Sequence, residues 1–96
     1  MKMNAIGVVE VSHLANSIVV LDAMLKAADV EVVSCQKLLG GKMVHTIVAG
    51  ETSAVNATIE AANAAGDLIG NDNLKVAVTI SNPHPQIIKL LDLIGK

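Results

Sequence analysis

The chain has 96 residues, 52% of them hydrophobic, with no Phe, Tyr or Trp and a formal charge of −2. One domain of this length, residues 1–96, buries only about 60–65% of its unfolded surface, so it folds alone with little margin. Without aromatic side chains there is no platform for a stacked base, the few scattered cations make no nucleic-acid surface, and no apolar run reaches the roughly 18–20 residues of a membrane span. Met1 to Glu10 lacks the apolar core and cleavage site of a signal peptide, so the chain reads as cytosolic. Asn4–Val11 reads as a strand with Ile6 and Val8 in one phase and Val9 and Val11 in the other. Ser12 is placed to cap a helix that runs to about Ala28, with Leu14, Ile18, Leu21 and Leu25 as its apolar stripe. Asp22 and Lys26 stand as an i,i+4 acid–base pair on it.

Val30–Leu38 and Met43–Ala49 form two further strands, joined through Gly40–Gly41 as a hairpin. A second helix is expected over Glu51–Leu68. Val55, Ile59, Ala62 and Ile69 are its buried stripe, and either Gly66 or Gly70 closes it, with close packing as the other reading of Gly66. Leu74–Ser81 alternates apolar Leu74, Val76, Val78 and Ile80 with Lys75, Ala77 and Thr79, the pattern of a half-buried strand. Asn82-Pro83-His84-Pro85 breaks it, and Gln86–Ile94 makes a short helix with Ile87, Leu90, Leu91 and Ile94 apolar and Pro85 in its first turn. The order β-α-β-β-α-β is the ferredoxin-like arrangement, an α+β fold with an antiparallel sheet, two helices on one face and a terminal helix added.

Catalytic chemistry is hard to find in these residues. Leu39-Gly40-Gly41-Lys42 lacks the spacing of a phosphate loop and joins two strands, so no helix N-terminus stands behind it. His13, His45 and His84 are too far apart in sequence to suggest metal-ligand spacing, and Cys35 reads as a buried, inert thiol. The carboxylates stand mostly at element ends or on solvated helix faces, and no nucleophile has an oriented base. No enzyme activity, metal or cofactor is expected. The apolar excess in so small a chain has two readings, an alanine-rich core or a large subunit interface, and the interface is the favoured one.

Taken together, several short stretches resemble the single-domain shell proteins of bacterial microcompartments, which tile carboxysomes and the propanediol- and ethanolamine-utilising compartments. The carriers are Ala5-Ile6-Gly7-Val8-Val9-Glu10, Leu21-Asp22-Ala23-Met24-Leu25-Lys26-Ala27-Ala28, Gly41, Ile47-Val48-Ala49-Gly50-Glu51, Ala54-Val55, the alanine-rich helix through Gly66, and Pro83-His84. The resemblance spans about residues 4–94. It implies a homohexameric disc with a central pore, placed in a microcompartment shell in the cytoplasm. Implied partners are neighbouring hexamers, other shell proteins and the targeting helices of encapsulated enzymes; nucleic acid and membrane are not among them. Carried over by position, Leu39, Gly40, Gly41 and Lys42 stand at the pore loop, Lys37 just before it, and Lys26, Asn82, Pro83 and His84 at the hexamer edge.

Two departures stand out. The family's usual loop is lysine-isoleucine-glycine-X-glycine, and this one carries an extra residue. Its Gly-Lys end is similar to loops that hold an iron–sulfur cluster, but those have cysteine where this chain has Leu39, so no cluster is expected. Asn82 replaces an arginine that helps to join neighbouring discs, which implies a weaker or rearranged edge contact. Two other readings stand beside the shell tile: a ferredoxin-like regulatory domain that binds a small ligand between subunits, and an electron-transfer shell variant in which symmetry-related copies of Cys35 serve a pore metal cluster.

Overall fold

A computed structural model describes residues 4–94, apart from the side chains of Asn71, Leu93 and Ile94. Four strands, β1 (Ala5–Ser12), β2 (Glu31–Leu38), β3 (Met43–Gly50) and β4 (Leu74–Ser81), alternate with helices α1 (Leu14–Ala27) and α2 (Thr52–Ile69), and α3 (Pro85–Ile94) follows. The sheet order is β2-β3-β1-β4 with every neighbour antiparallel. This is the expected ferredoxin-like α+β topology. The body is thin, with extents of 33 × 27 × 17 Å.

Helices α1 and α2 cover one face of the sheet. Because side chains alternate along a strand, Ala5, Val9 and Val11 of β1 turn to this face, and Val48 of β3 joins them. Val20 and Met24 of α1 and Val55, Ile59, Ala62 and Ala65 of α2 close the core from above. Small residues set the thickness. At Gly66 an added Cβ would lie 2.7 Å from Leu74 Cδ2, so Gly66 is a close-packing position, and Gly70 closes α2 at φ 96°. Two buried hydroxyls satisfy themselves within their helices: Ser17 Oγ donates to the Leu14 carbonyl and Thr58 Oγ1 to the Val55 carbonyl, each at 2.7 Å.

Four expectations about packing and capping change. Ser12 does not cap α1: it ends β1 opposite Met43, and His13 takes the cap position at φ 72° without a capping side-chain bond. The buried stripe of α1 is Ser17, Val20 and Met24, with Leu21 at its margin, while Leu14, Ile18 and Leu25 are exposed. Both stripes have helical spacing, and packing against α2 and the sheet decides between them. In β4 Leu74 packs into the helix-side core, but after the register shift opposite Glu10 and Val11 the rest of the apolar phase is the exposed one. Val76, Val78 and Ile80 point away from α1 and α2, and Ala77 packs against the helix-side core. Finally, Cys35 is exposed, because β2 is an edge strand, and Thr46 Oγ1 approaches its Sγ at 3.7 Å.

The other face of the sheet carries α3. Leu91 buries itself against Ile6 and Ala49, with Val8, Val33 and Ile47 around them. An irregularity in pairing between Val32 and Ser34 turns Val33 into this cluster. Pro85 opens α3, and the Gln86 backbone N–H donates to His84 Nδ1 at 3.0 Å, which caps the helix. Ile87 and Leu90 are exposed, and the side chain of Ile94 lies outside the described residues. Helix α3 leaves β4 open on this face.

Candidate functional site

The candidate residues fall into two groups at opposite ends of the sheet. Strand β1 runs from Ala5, paired with Gly50 and Ser81, to Ser12, paired with Met43. The β2–β3 loop therefore stands at the Ser12 end. Helix α1 runs back, so Lys26 in its last turn and the Asn82-Pro83-His84 corner after β4 share the Ala5 end. Eight strand residues at about 3.3 Å each separate the two groups by about 25 Å.

At the Ser12 end, β2 gives way to a tight turn, Leu39–Gly41, before β3. Leu39, Gly40 and Gly41 all adopt positive φ, at 55°, 66° and 91°. For Gly40 and Gly41 this costs nothing sterically, and no atom lies within 4 Å of a Cβ built on Gly40. For Leu39 it is strained, and its side chain is 73% exposed. The Lys42 N–H closes the turn on the Leu39 carbonyl at 3.3 Å, and the His13 N–H donates to the Lys42 carbonyl at 2.9 Å. Thus the loop is tied to the start of α1. Lys42 and Lys37 are both exposed there, Lys37 on the helix side of β2 through its pairing with Val44.

At the Ala5 end, Lys26 Nζ lies 2.8 Å from Asp22 Oδ2, an exposed pair on one helix face. Asn82 sits at φ 49°, a left-handed conformation that asparagine tolerates better than most residues, and its N–H donates to the Asn4 carbonyl at 2.8 Å. Asn4 in turn donates through Nδ2 to Glu51 Oε2 at 2.6 Å. Pro83 is buried, and His84 is exposed and caps α3. So the structure places Lys26 and the Asn82 corner at one end without showing a contact between them.

Sequence reasoning missed two features. His45 Nε2 lies 2.9 Å from Glu10 Oε2 across β3 and β1, half-exposed on the face that α3 leaves open. Their opposed register can be read only once the strands are aligned. The backbone of His13 is the other: its positive φ of 72° was not read from the sequence. Among the described residues no group of three or more His, Cys, Asp or Glu could hold a metal ion. No helix among them is long and apolar enough to cross a membrane.

The family model for the BMC domain matches residues 5–83. The chain belongs to the BMC-domain family. It is 40% identical over 89 residues to the carboxysome shell protein CsoS1C of Hydrogenovibrio crunogenus, covering 93% of this chain and 85% of that one. It is 39% identical over 83 residues to the carboxysome shell protein CsoS1 of Prochlorococcus marinus, covering 86% and 79%. A solved microcompartment protein from Desulfitobacterium hafniense superposes with a TM-score of 0.78 at 26% identity, covering 96% of this chain and 48% of that one. This chain thus spans about half the length of that structure. With these relatives it is a microcompartment shell protein, a structural subunit that assembles with other shell proteins and not an enzyme. The comparisons give no support to a ligand-sensing domain or an electron-transfer variant.

Proposed function

We propose that the chain is a one-domain tile, residues 1–96, that closes into a homohexameric disc, with the Leu39–Lys42 loop around a central pore and Lys26 and the Asn82 corner at the rim. The single observation that carries this reading is the placement of exposed apolar residues on two unlike flanks. Leu14, Ile18 and Leu25 form an exposed apolar stripe along α1. A Cβ on Gly41 would lie 3.9 Å from Leu14 Cβ, which puts that side of α1 beside the β2–β3 loop. Val76, Val78 and Ile80 line the opposite sheet face at the β4 edge, where α3 leaves them open. Joining one flank to the other, copy after copy, is a heterologous contact, and such contacts close into a ring when the rotation from copy to copy closes on itself. A twofold pairing would need one patch that fits itself.

The ring gives the loop its role. Gly40 and Gly41 leave room for six backbones around an axis, and Lys42 repeats six times. At about 10 Å in water each pair of like charges costs only about 0.4 kcal/mol, so a wide solvated ring of lysines is tolerable. It would favour small anions and polar metabolites, more so at low salt. At the rim, the aliphatic stem of Lys26 can pack against a neighbouring disc while its ammonium donates across the seam. Electron microscopy of concentrated protein tests the reading: six-fold discs with a central stain-filled hole support it, and compact dimers or monomers refute it.

A further inference from the structure

The two exposed apolar stripes run in the same direction through the fold. On α1, Leu14 stands beside the β2–β3 loop, and Ile18 and Leu25 follow toward the Ala5 end. On β4, Val76 stands opposite Glu10, and Val78 and Ile80 follow the same way, opposite Val8 and Ile6. At about 1.5 Å per helical residue the first stripe spans about 16 Å, and at about 3.3 Å per strand residue the second spans about 13 Å. In a ring around the loop both Ser12 ends point inward, so the stripes meet in parallel with their inner ends together. Each inner end carries an ionic group. Glu10 lies between His45 of β3 and Val76 of β4 on the face that α3 leaves open. His45 Nε2 lies 2.9 Å from its Oε2, and Oε1 has no partner among the described residues. Lys37, near the end of β2, leads into the loop beside Leu14; it is exposed on the helix side of the sheet, the side that carries α1, and has no ion-pair partner among the described residues.

We propose that Glu10 of one copy pairs with Lys37 of the next, and that this ion pair sets the register in which the two apolar stripes meet; the proposal rests on the head-to-tail ring. The occupant of the open β4 face is a second copy of this chain, entering by α1. A carboxylate beside surface that becomes buried is costly unless an opposite charge arrives with the partner. One hydrogen bond from His45 meets only part of that need, and it holds the carboxylate in place before the partner docks, which lowers the ordering cost of the pair. The other cations at this end are Lys42, which lies in the loop itself, and Lys75, which belongs to β4 beside Val76. Lys37 is the cation that comes with the start of the α1 stripe and leaves Lys42 to the axis. A slip of the two stripes along each other would keep apolar surface covered but leave Glu10 unpaired, so the pair selects one register.

The test is a double-mutant cycle, with ring closure read by sedimentation velocity over a dilution series. Lys37 is exposed in the single chain, so Lys37→Glu should keep the circular dichroism spectrum of the parent. It should weaken ring closure about ten-fold or more, because Glu10 then meets a second carboxylate. Glu10→Gln keeps the shape of the side chain and an oxygen to accept from His45, and alone it should weaken closure about three-fold. In the Glu10→Gln background, Lys37→Glu should change closure by less than about two-fold, since the repulsion has gone. Lys42→Glu should have the same effect in both backgrounds. An equal penalty for Lys37→Glu with and without Glu10, no penalty in either, or a Lys42→Glu effect that vanishes with Glu10 overturns the pair while leaving the ring intact. A parent protein that stays monomeric or dimeric overturns the ring reading itself.

Discussion

The two faces of the sheet are finished to different degrees. Under α1 and α2 the chain completes a core by itself: Val20, Met24, Val48, Val55 and Ala62 are all sealed, and a glycine brings α2 against β4. On the other face α3 seals only Ile6, Ala49 and Leu91, and Val76, Val78 and Ile80 of β4 remain open. The outer side of α1 is open in the same way. The difference teaches which part of the hydrophobic driving force belongs to the monomer and which is reserved for assembly. A chain this small has little interior in which to hide so much aliphatic surface, and each of these valines and isoleucines, already half-buried, leaves about 1 kcal/mol of burial available to a partner.

The contrast breaks first at the sealed face. Met24→Ala should destabilise the fold by about 2–5 kcal/mol, because it leaves a cavity between α1 and the sheet. Urea unfolding followed by far-ultraviolet circular dichroism would show the loss, and rings and secondary structure should weaken together. At the open face the two should separate. Val78→Glu should leave the circular dichroism spectrum of the parent in place while weakening ring closure about 100-fold or more, since a carboxylate would be buried unpaired at the seam. Sedimentation velocity reads that outcome, and a ring that survives the substitution would show that β4 faces solvent.

Smaller effects sharpen the same contrast at the loop and rim. Gly40→Ala has room for its methyl group but meets the left-handed backbone, so thermal unfolding should show a loss of about 1 kcal/mol without loss of the ring. Lys26→Ala removes an exposed i,i+4 pair and should change stability by less than about 0.5 kcal/mol. Its effect should appear only in lateral packing, as fewer hexagonal sheets on grids. Unchanged sheets would remove Lys26 from the disc edge.

Element order and sheet topology were legible in the sequence because period-2 and period-3.6 patterns are local, and every element falls within about two residues of its expected span. The buried stripe of α1 was not legible. Two helical stripes compete in Leu14–Ala27, and the choice depends on where α2 lies, which is a long-range fact. The β4 strand misled for a related reason: its alternation shows that two faces differ, not which face the helices cover. The loop was found by resemblance and its glycines, but the positive φ of Leu39 and His13 was not read from the sequence. Asn82 did carry one, as asparagine is among the few residues at ease with positive φ.

In the proposed ring, two unlike apolar flanks meet head to tail. Ile18→Glu blocks the α1 flank and leaves the β4 flank intact, and Val78→Glu does the reverse. Native mass spectrometry of each variant alone and of the two mixed tests this contact most directly, against a parent that should show six copies. Head-to-tail closure predicts that each variant alone is monomeric, and that the mixture forms a one-to-one heterodimer through its single intact seam and grows no further. A hexamer from either variant alone, or a mixture that remains monomeric, would contradict it.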